Sequence, residues 1–419
     1  MDAAAPPAGQ HGAVPVLPAL PPVADDQGVL AWVSTHLGAL TLEGPDGVRA
    51  GAVRGGQQAA DATLAALDVE GYSRSRSTVL PVSRRGATRI SPYVRYGLLQ
   101  LPHVWDAVTG ASPRDRDRYR DELLWQEYAR HVYARTGTAM RKPLRHMPPE
   151  AHVVDGDPWV TDMACISSVH SALVEDGWLV NQTRMWMSSH WTVRHGRDWR
   201  EGEDEFFTHL LDGSRAANRL GWQWTVGAGT GRPYGFSRWQ VEKRAPALCA
   251  ACPLRDRCPI EGWPDAAAGR RVDGPHLGAG PTPSGPDEPV VTGTPDAVWL
   301  TAESLGDADP ALTAHPDLPA VFVFDQPLLQ RLRLSGKRLV FLAQSLADLA
   351  ERRPLQVRLG AVPDELAGRR LSGTYAPVPG WQRIARRLDL VEQHPWPWLV
   401  RPASAPLSSF SAWRKAVRR

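Results

Sequence analysis

The chain has 419 residues, 42% of them hydrophobic and 22% charged, with a formal net charge of +3. That length allows two domains and a sizeable core, and the balance is that of a soluble globular protein. A charge so near zero does not by itself demand nucleic acid, no apolar run approaches a membrane span, no charged n-region precedes an apolar core at the N-terminus, and four cysteines are too few for a secreted disulfide scaffold. A cytosolic (cytoplasmic) protein is expected. Seventeen tryptophans are the odd count, since indole is normally scarce.

Residues 1–50 are rich in Ala, Pro and Gly and are expected to be partly disordered, with one helix-like patch around Val29 to Leu40. Gly55 to Leu67 reads as a helix, and Tyr72 opens an Arg/Ser-rich, solvent-facing loop. In Gly86-Ala87-Thr88-Arg89-Ile90-Ser91-Pro92-Tyr93, hydroxyls and a cation at a loop-to-helix junction can hold a phosphate, or simply cap a helix. Residues 118–135 form an amphipathic helix with Leu124, Tyr128 and Val132 as its stripe. Glu122 and Trp125, three apart, share another face, which is ordinarily a helix edge. A second helical block runs from Trp159 to Arg194, and within it Asn181, Arg184 and Met185 fall at i, i+3 and i+4 on one face.

Trp199 to Trp224, WREGEDEFFTHLLDGSRAANRLGWQW, is the densest stretch. Phe206 and Leu210, and Phe207 and Leu211, have helical spacing; Asp212-Gly213 closes that helix, and Asn218 and Trp222 again lie four apart on a turn-rich segment. Three tryptophans, an acid and an amide in one short run exceed what packing asks for. The run, through Asn218-x-x-Gly221-Trp222-Gln223-Trp224, resembles the flavin-binding motif of the photolyase/cryptochrome superfamily, and the resemblance covers roughly residues 50–245 and 297–414.

The resemblance implies an all-helical domain holding a U-shaped FAD through Tyr72, Thr88, Arg89, Ser91, Gln126, Arg184, Asp212 and Asn218. Thr88 to Ser91 match its phosphate loop, with Ala87 in place of a usual Thr. Gln126 stands for a usual Arg, and Ser214 for a second acid. Asn218 would face flavin N5, while Arg184 and Asp212 would pair at the ring edge. Glu122, Trp125, Asn181, Met185 and Trp224 would line a lesion pocket. Val180 and Asn181 replace the two His of enzymes for (6-4) lesions, so the pocket is of the cyclobutane-dimer type. Trp222 and Trp199 match the first two indoles of an electron-transfer chain whose third member has no assignment. The implied function is light-dependent repair of ultraviolet-damaged DNA, with Arg residues of the helical domain meeting phosphates. Two other readings are a cryptochrome-like photoreceptor without repair, and a dark iron–sulfur redox or nucleic-acid-binding protein whose flavin site has decayed.

Cys249, Cys252 and Cys258, at x2 and x5 spacing, resemble the iron–sulfur loop of helix-hairpin-helix DNA glycosylases. Such thiolates can wrap a [4Fe-4S] cluster, zinc being the rival and small core residues the plain reading. Cys165 is the remaining thiol and would be the fourth ligand of an all-Cys site, as in the subset of photolyases in which a remote Cys joins three clustered ones.

Beyond a helical unit at 51–263, the Gly/Pro-rich residues 264–296 read as a linker and 297–419 as a doubly wound parallel α/β domain. Val298-Trp299-Leu300, Ala320 to Phe324, Leu355 to Leu359, Thr374-Tyr375-Ala376 and Trp398-Leu399-Val400 are its expected strands, and Ser335 caps a helix reaching Arg352. Asp309-Pro310-Ala311-Leu312, Val321 to Asp325 and Phe341 to Leu349 resemble the superfamily's antenna domain, which usually comes first. Here it comes last and ends in Phe410-Ser411-Ala412-Trp413-Arg414, so the chain resembles a circularly permuted photolyase. Thr301, Ala302 and Glu303 replace the usual paired Arg and Asp, leaving an antenna chromophore unassigned. No G-x-G-x-x-G follows the first strand, so a dinucleotide is not expected there.

Overall fold

The computed structural model describes residues 16–149, 153–264 and 267–417. The disorder expected at the N-terminus falls, up to residue 15, outside the described residues. Helices α1 (Asp26–Leu37), α2 (Gln57–Ala65), α3 (Tyr72–Ser75), α4 (Ser91–Arg95), α5 (Leu101–Ala107) and α6 (Pro113–Thr136) lead to the short strand β1 (His146–Met147). Next come α7 (Ala164–Asp176), α8 (Asn181–Ser189), α9 (Trp199–His209), α10 (Ala217–Thr225), α11 (Arg238–Arg244) and α12 (Pro246–Ala250). The remainder alternates: β2 (Arg270–Arg271), β3 (Val290–Val291), β4 (Ala297–Leu300), α13 (Pro310–Ala314), β5 (Ala320–Asp325), α14 (Gln326–Leu332), α15 (Gly336–Ala350), β6 (Leu355–Gly360), α16 (Val362–Glu365), β7 (Arg370–Thr374), α17 (Pro379–Ala385), β8 (Asp389–His394) and α18 (Phe410–Val417). No helix among the described residues is long and apolar enough to cross a membrane.

The protein is thus mixed, a helical region and an α/β region with a parallel sheet, as expected. The sheet order is β3-β8-β7-β4-β5-β6, with all pairs parallel except the β3 edge. Order reverses about β4, which makes the carboxyl ends of β4 and β7 the switch point of a doubly wound sheet. Ala320 to Phe324 are buried throughout, because both faces of a central parallel strand are covered. Residues Gly336 to Leu349 of α15 are buried on every side. The polar ones among them have a job: Gln344, Ser345 and Asp348 accept from Gly55, Gly56 and Gln57 N–H at 2.9, 3.1 and 2.9 Å, capping α2. On the same helix Leu339 and Leu346 share one core with Val29, Trp32 and Leu37 of α1, so the N-terminal helix packs with the C-terminal sheet region.

Several local expectations need correction. Tyr72 opens no exposed loop: it starts α3, buried edge-on against Tyr119 at 4.9 Å, and Asp115 accepts from Gly71 and Ser73 N–H. Helix α9 stops at His209, so Asp212-Gly213 lies in the turn beyond it, and Asn218 and Trp222 sit on a regular helix, α10. Ser335 does not cap α15 with its hydroxyl, which donates to Glu43 at 2.7 Å; the Glu43 carboxylate also takes Gly336 N–H at 2.9 Å and is the cap. Of Thr374-Tyr375-Ala376 only Thr374 belongs to a strand, and Trp398 to Val400 form none. Trp398 Nε1 donates to the Ser284 carbonyl and Val400 N–H to Glu127, so this apolar run is used to join the two regions. The stretch 264–296 contains β2, paired with β1, and β3, the sheet edge. Glu303, one of the residues standing where the antenna domain usually has its paired Arg and Asp, is ion-paired with Arg95 of α4 at 2.9 Å, and Arg95 also donates to Gly213 O.

Three buried imidazoles are pushed down by loss of solvent: His131 and His209 to about 4, His190 to about 3. Each therefore adds stability that is full above the unfolded-chain value near 6.5 and lost as the pH falls toward about 4. Buried Asp309, raised to about 6, works in the opposite direction. At pH 5.5 the ring resonances of these three histidines should still report neutral imidazole; a midpoint near 6.5 for all three would contradict their burial.

Candidate functional site

One face of α6 supplies a wall: Tyr119, Glu122, Gln126, Arg130 and Tyr133 recur at helical spacing, with Trp125 beside them. Opposite stand Asn181, Arg184, Met185 and Ser188 of α8 and Asn218, Trp222 and Trp224 of α10; Tyr72, Arg76, Thr88 and Ser91 close one end. Together they enclose a cavity of about 870 Å³ that reaches the carboxyl edge of the sheet at Glu303 and Asp325. That size suits a cofactor.

Its polar centre is the pair Arg184 Nη2–Asp212 Oδ2, 2.8 Å apart, with only 17% and 8% of the side chains exposed. Arg184 is aimed by a second donation, Nε to Leu179 O at 3.1 Å. Asp212 Oδ1 and Asn218 Nδ2 are buried with no protein partner. A buried acceptor and a buried donor left open on one wall are costly unless a ligand bonds them. The isoalloxazine edge, which mixes donors and acceptors, fits that demand. Thr88 Oγ1 lies 3.1 Å from Tyr119 OH, whose burial raises it to about 12.

At the opening, burial pushes the Glu122 carboxyl up, opposed by Arg76, whose Nη1 is 2.6 Å away, and by Arg118. Trp125 is braced by Phe410 of α18 at 5.4 Å and Tyr128 at 5.7 Å. Trp224 is 38% exposed and leans on Tyr234 at 5.2 Å. Asn181 is exposed, its amide 3.9 Å from Met185 sulfur.

Residues 119–243 match the family model described as the FAD binding domain of DNA photolyase. A deoxyribodipyrimidine photo-lyase of Synechococcus sp. is 30% identical over 159 residues, which is 34% of this chain and 33% of that protein. The Escherichia coli enzyme of that name is 32% identical over 158 residues, 35% and 34% of the two chains. The chain carries a region similar to the FAD binding domain of DNA photolyases. It spans about a third of the length of these curated relatives. Among solved structures, a class III photolyase from Agrobacterium tumefaciens gives a TM-score of 0.42 at 24% identity, covering 46% of this chain and 43% of the other. A Synechocystis cryptochrome gives 0.42 at 19%, covering 48% and 46%.

Of the fifteen non-cysteine site residues expected, thirteen fall on one cavity and two do not. Glu122, Trp125, Asn181, Met185, Trp222, Trp224, Tyr72, Thr88, Ser91, Gln126, Arg184, Asp212 and Asn218 line the one cavity. Arg89 does not: it is exposed, its guanidinium 5.4 Å from the Trp178 ring and its Nη1 donating to Ala52 O. Ile90 and Ser91 turn inward where it turns out, and spacing within a loop carries no such direction. The nearby cation is instead Arg76, four residues after Tyr72 and so on the same face of α3, a signal present in the sequence but unused. Tyr119, one turn before Glu122, was legible in the same way. Trp199 is buried off the cavity wall, with Arg200 over its ring at 4.9 Å. Trp222 rests on Gly202 of α9, where any Cβ would overlap its ring; Trp191 lies against the same glycine and stacks on Trp159 at 5.1 Å.

Cys165 of α7, Cys249 of α12, Cys252 and Cys258 surround a second, small pocket floored by Met163, Leu248 and Ile260. All four are free thiols. Burial, then the three neighbouring sulfurs, push Cys165 up to about 12. Among the described residues no three of these sulfurs lie within 4.8 Å of one another.

Proposed function

We propose that the chain is a light-dependent DNA-repair flavoprotein that splits cyclobutane pyrimidine dimers. The observation carrying this is a single cavity with the Arg184–Asp212 pair and open Asn218 at its depth, and Glu122, Trp125, Asn181, Met185 and Trp224 at its mouth. Bound there in its reduced, photoexcited form, FAD supplies an electron to the dimer and takes it back after the ring opens. Arg184 and Asp212 hold the ring edge, and Asn218 offers both amide atoms to it. Tyr72, Thr88 and Ser91 contact the phosphate side, where Arg76 adds charge. Trp125 and Trp224 offer flat faces to a flipped, weakly stacked lesion, and Glu122 hydrogen-bonds its base edge. Trp222 and Trp199 stand as the inner indoles of the reducing path.

The four cysteines hold a [4Fe-4S] cluster on this reading. An all-thiolate donor set supports it. So does the spread of the sulfurs, because a tetrahedral zinc at about 2.3 Å from each would draw them to about 3.8 Å. The α/β region is the antenna-type unit in permuted order, behind 51–263 and the 264–296 stretch. Its sheet, which reverses about its first parallel strand, supports that reading.

Blue-light repair of ultraviolet-damaged DNA tests the function. Full-length protein should repair dimers, while Trp125→Ala and Glu122→Ala should bind FAD unchanged yet lose repair at limiting DNA. For Trp125→Ala a loss of about 5- to 150-fold is expected, from about 1–3 kcal/mol of stacking per base. Equal repair by both variants and the parent would remove the pocket assignment. Photoreducible flavin without repair in the parent would instead make the chain a photoreceptor.

A further inference from the structure

His315, the residue after α13, faces Glu392 and His394 of β8. Glu392 and His394 are two apart on a strand, so they project from the same side of the sheet. His315 Nε2 is 2.6 Å from Glu392 Oε2, and His394 Nε2 is 2.7 Å from Glu392 Oε1. One ligand atom from each of the three lies within 4.8 Å of the others, and no other His/Cys/Asp/Glu group among the described residues does this. His394 is 4% exposed, and its Nε2 makes no hydrogen bond despite the short approach to Glu392. His315 bonds one carboxylate oxygen, and His394 Nε2 meets the other at 2.7 Å without a well-directed bond, so the three groups converge on a common point. Two imidazoles closing on one buried carboxylate place three donor atoms where a single ion could take them all.

We propose that His315, Glu392 and His394 form a site for a divalent transition-metal ion of the zinc class. Two imidazoles and a carboxylate are a recurrent donor set for such ions, and leave a fourth position for water. The supports are already rigid. Tyr375 N–H donates to His394 O at 2.9 Å, and Asp309 at the start of α13 accepts from Thr374 Oγ1 at 2.9 Å. His315 is only half-buried, which gives the ion a way in. None of the three residues lines the flavin cavity or the cysteine pocket, so the site is independent of both. An ion here would tie the tip of α13 to the end of β8, two residues before Trp396, which does line the large cavity.

Full-length protein loaded with Zn²⁺, freed of excess by gel filtration and assayed for bound zinc tests this. Glu392→Gln keeps the volume and hydrogen-bonding capacity of the side chain and should drop zinc affinity by at least about 100-fold, more than loss of an outer-shell partner costs. His315→Ala, at the half-exposed position, should do the same. Cys252→Ser should keep this equivalent. Bound zinc should also raise the melting temperature of Cys252→Ser but not of Cys252→Ser/Glu392→Gln. Equal zinc in Cys252→Ser and Cys252→Ser/Glu392→Gln, or none in Cys252→Ser, would overturn the proposal.

Discussion

Exchange of Arg184 for methionine is expected to yield a less stable chain that purifies without flavin. Both partners of the Arg184–Asp212 pair are well shielded from water. Removing one charge of such a pair leaves the other buried and uncompensated, at a cost of about 3–5 kcal/mol. Asp212 Oδ1 already lacks a protein partner, so no neighbour stands ready to absorb the change. Stability and cofactor binding can be separated with a second variant. Arg184→Met/Asp212→Leu replaces the pair by apolar groups, which is commonly neutral or stabilising. Its urea midpoint should return close to the parent's, while its 450 nm flavin absorbance, about the usual oxidised band, should stay absent. A double variant that holds FAD as tightly as the parent would make the pair a packing device and not a cofactor contact.

What could be read from the sequence follows the range of the forces involved. Glu122, Trp125 and Gln126 lie within one turn or so of α6, as do Asn181, Arg184 and Met185 on α8. Helical spacing put Glu122 with Trp125, and Asn181 with Arg184 and Met185, on shared faces, while the resemblance, not the spacing, pointed those faces and Gln126 at a cavity. Arg89 sits in a loop, where no periodicity fixes direction, and it points to solvent. Long-range contacts were hidden for a different reason. The cap of α15 comes from Glu43 and that of α2 from Gln344, Ser345 and Asp348, groups brought close only when the chain is folded. Strand β5 announced itself as an unbroken apolar run. Strand β8 did not, because DLVEQH alternates apolar with polar residues and turns Glu392 and His394 toward a polar contact. The apolar Trp398-Leu399-Val400 was the more strand-like string, yet its hydrogen bonds go to Glu127 of the helical region and to the 264–296 stretch. Local pattern reports burial here, but which surface does the burying is decided elsewhere.

Substituting Cys165 by serine should strip the chain of iron while leaving its flavin in place. The thiol belongs to the first turn of α7, far along the chain from Cys249, Cys252 and Cys258, yet all four meet at one small pocket. Burial makes the free Cys165 thiolate unfavourable, and three nearby sulfurs make it more so. A free Cys165 thiol in that setting stays protonated and inert. Cations that take the four sulfurs as thiolates reverse the balance, since metal binding drives off the thiol protons and ties α7 to α12. A serine hydroxyl cannot replace a thiolate at a cluster iron, so the parent's iron, about four atoms for a cubane, should fall to near nothing in Cys165→Ser. The broad cluster shoulder should vanish with it in anaerobic spectra. Flavin bands should persist, because the cysteine pocket and the large cavity share no lining residue. Residues 246–264, which lose their tie to α7, should become the first site of proteolytic nicking. Iron retained in full by Cys165→Ser would place the fourth ligand elsewhere, and an iron-free parent with a zinc that Cys165→Ser loses but Glu392→Gln keeps would show that the sulfurs close up around a single ion.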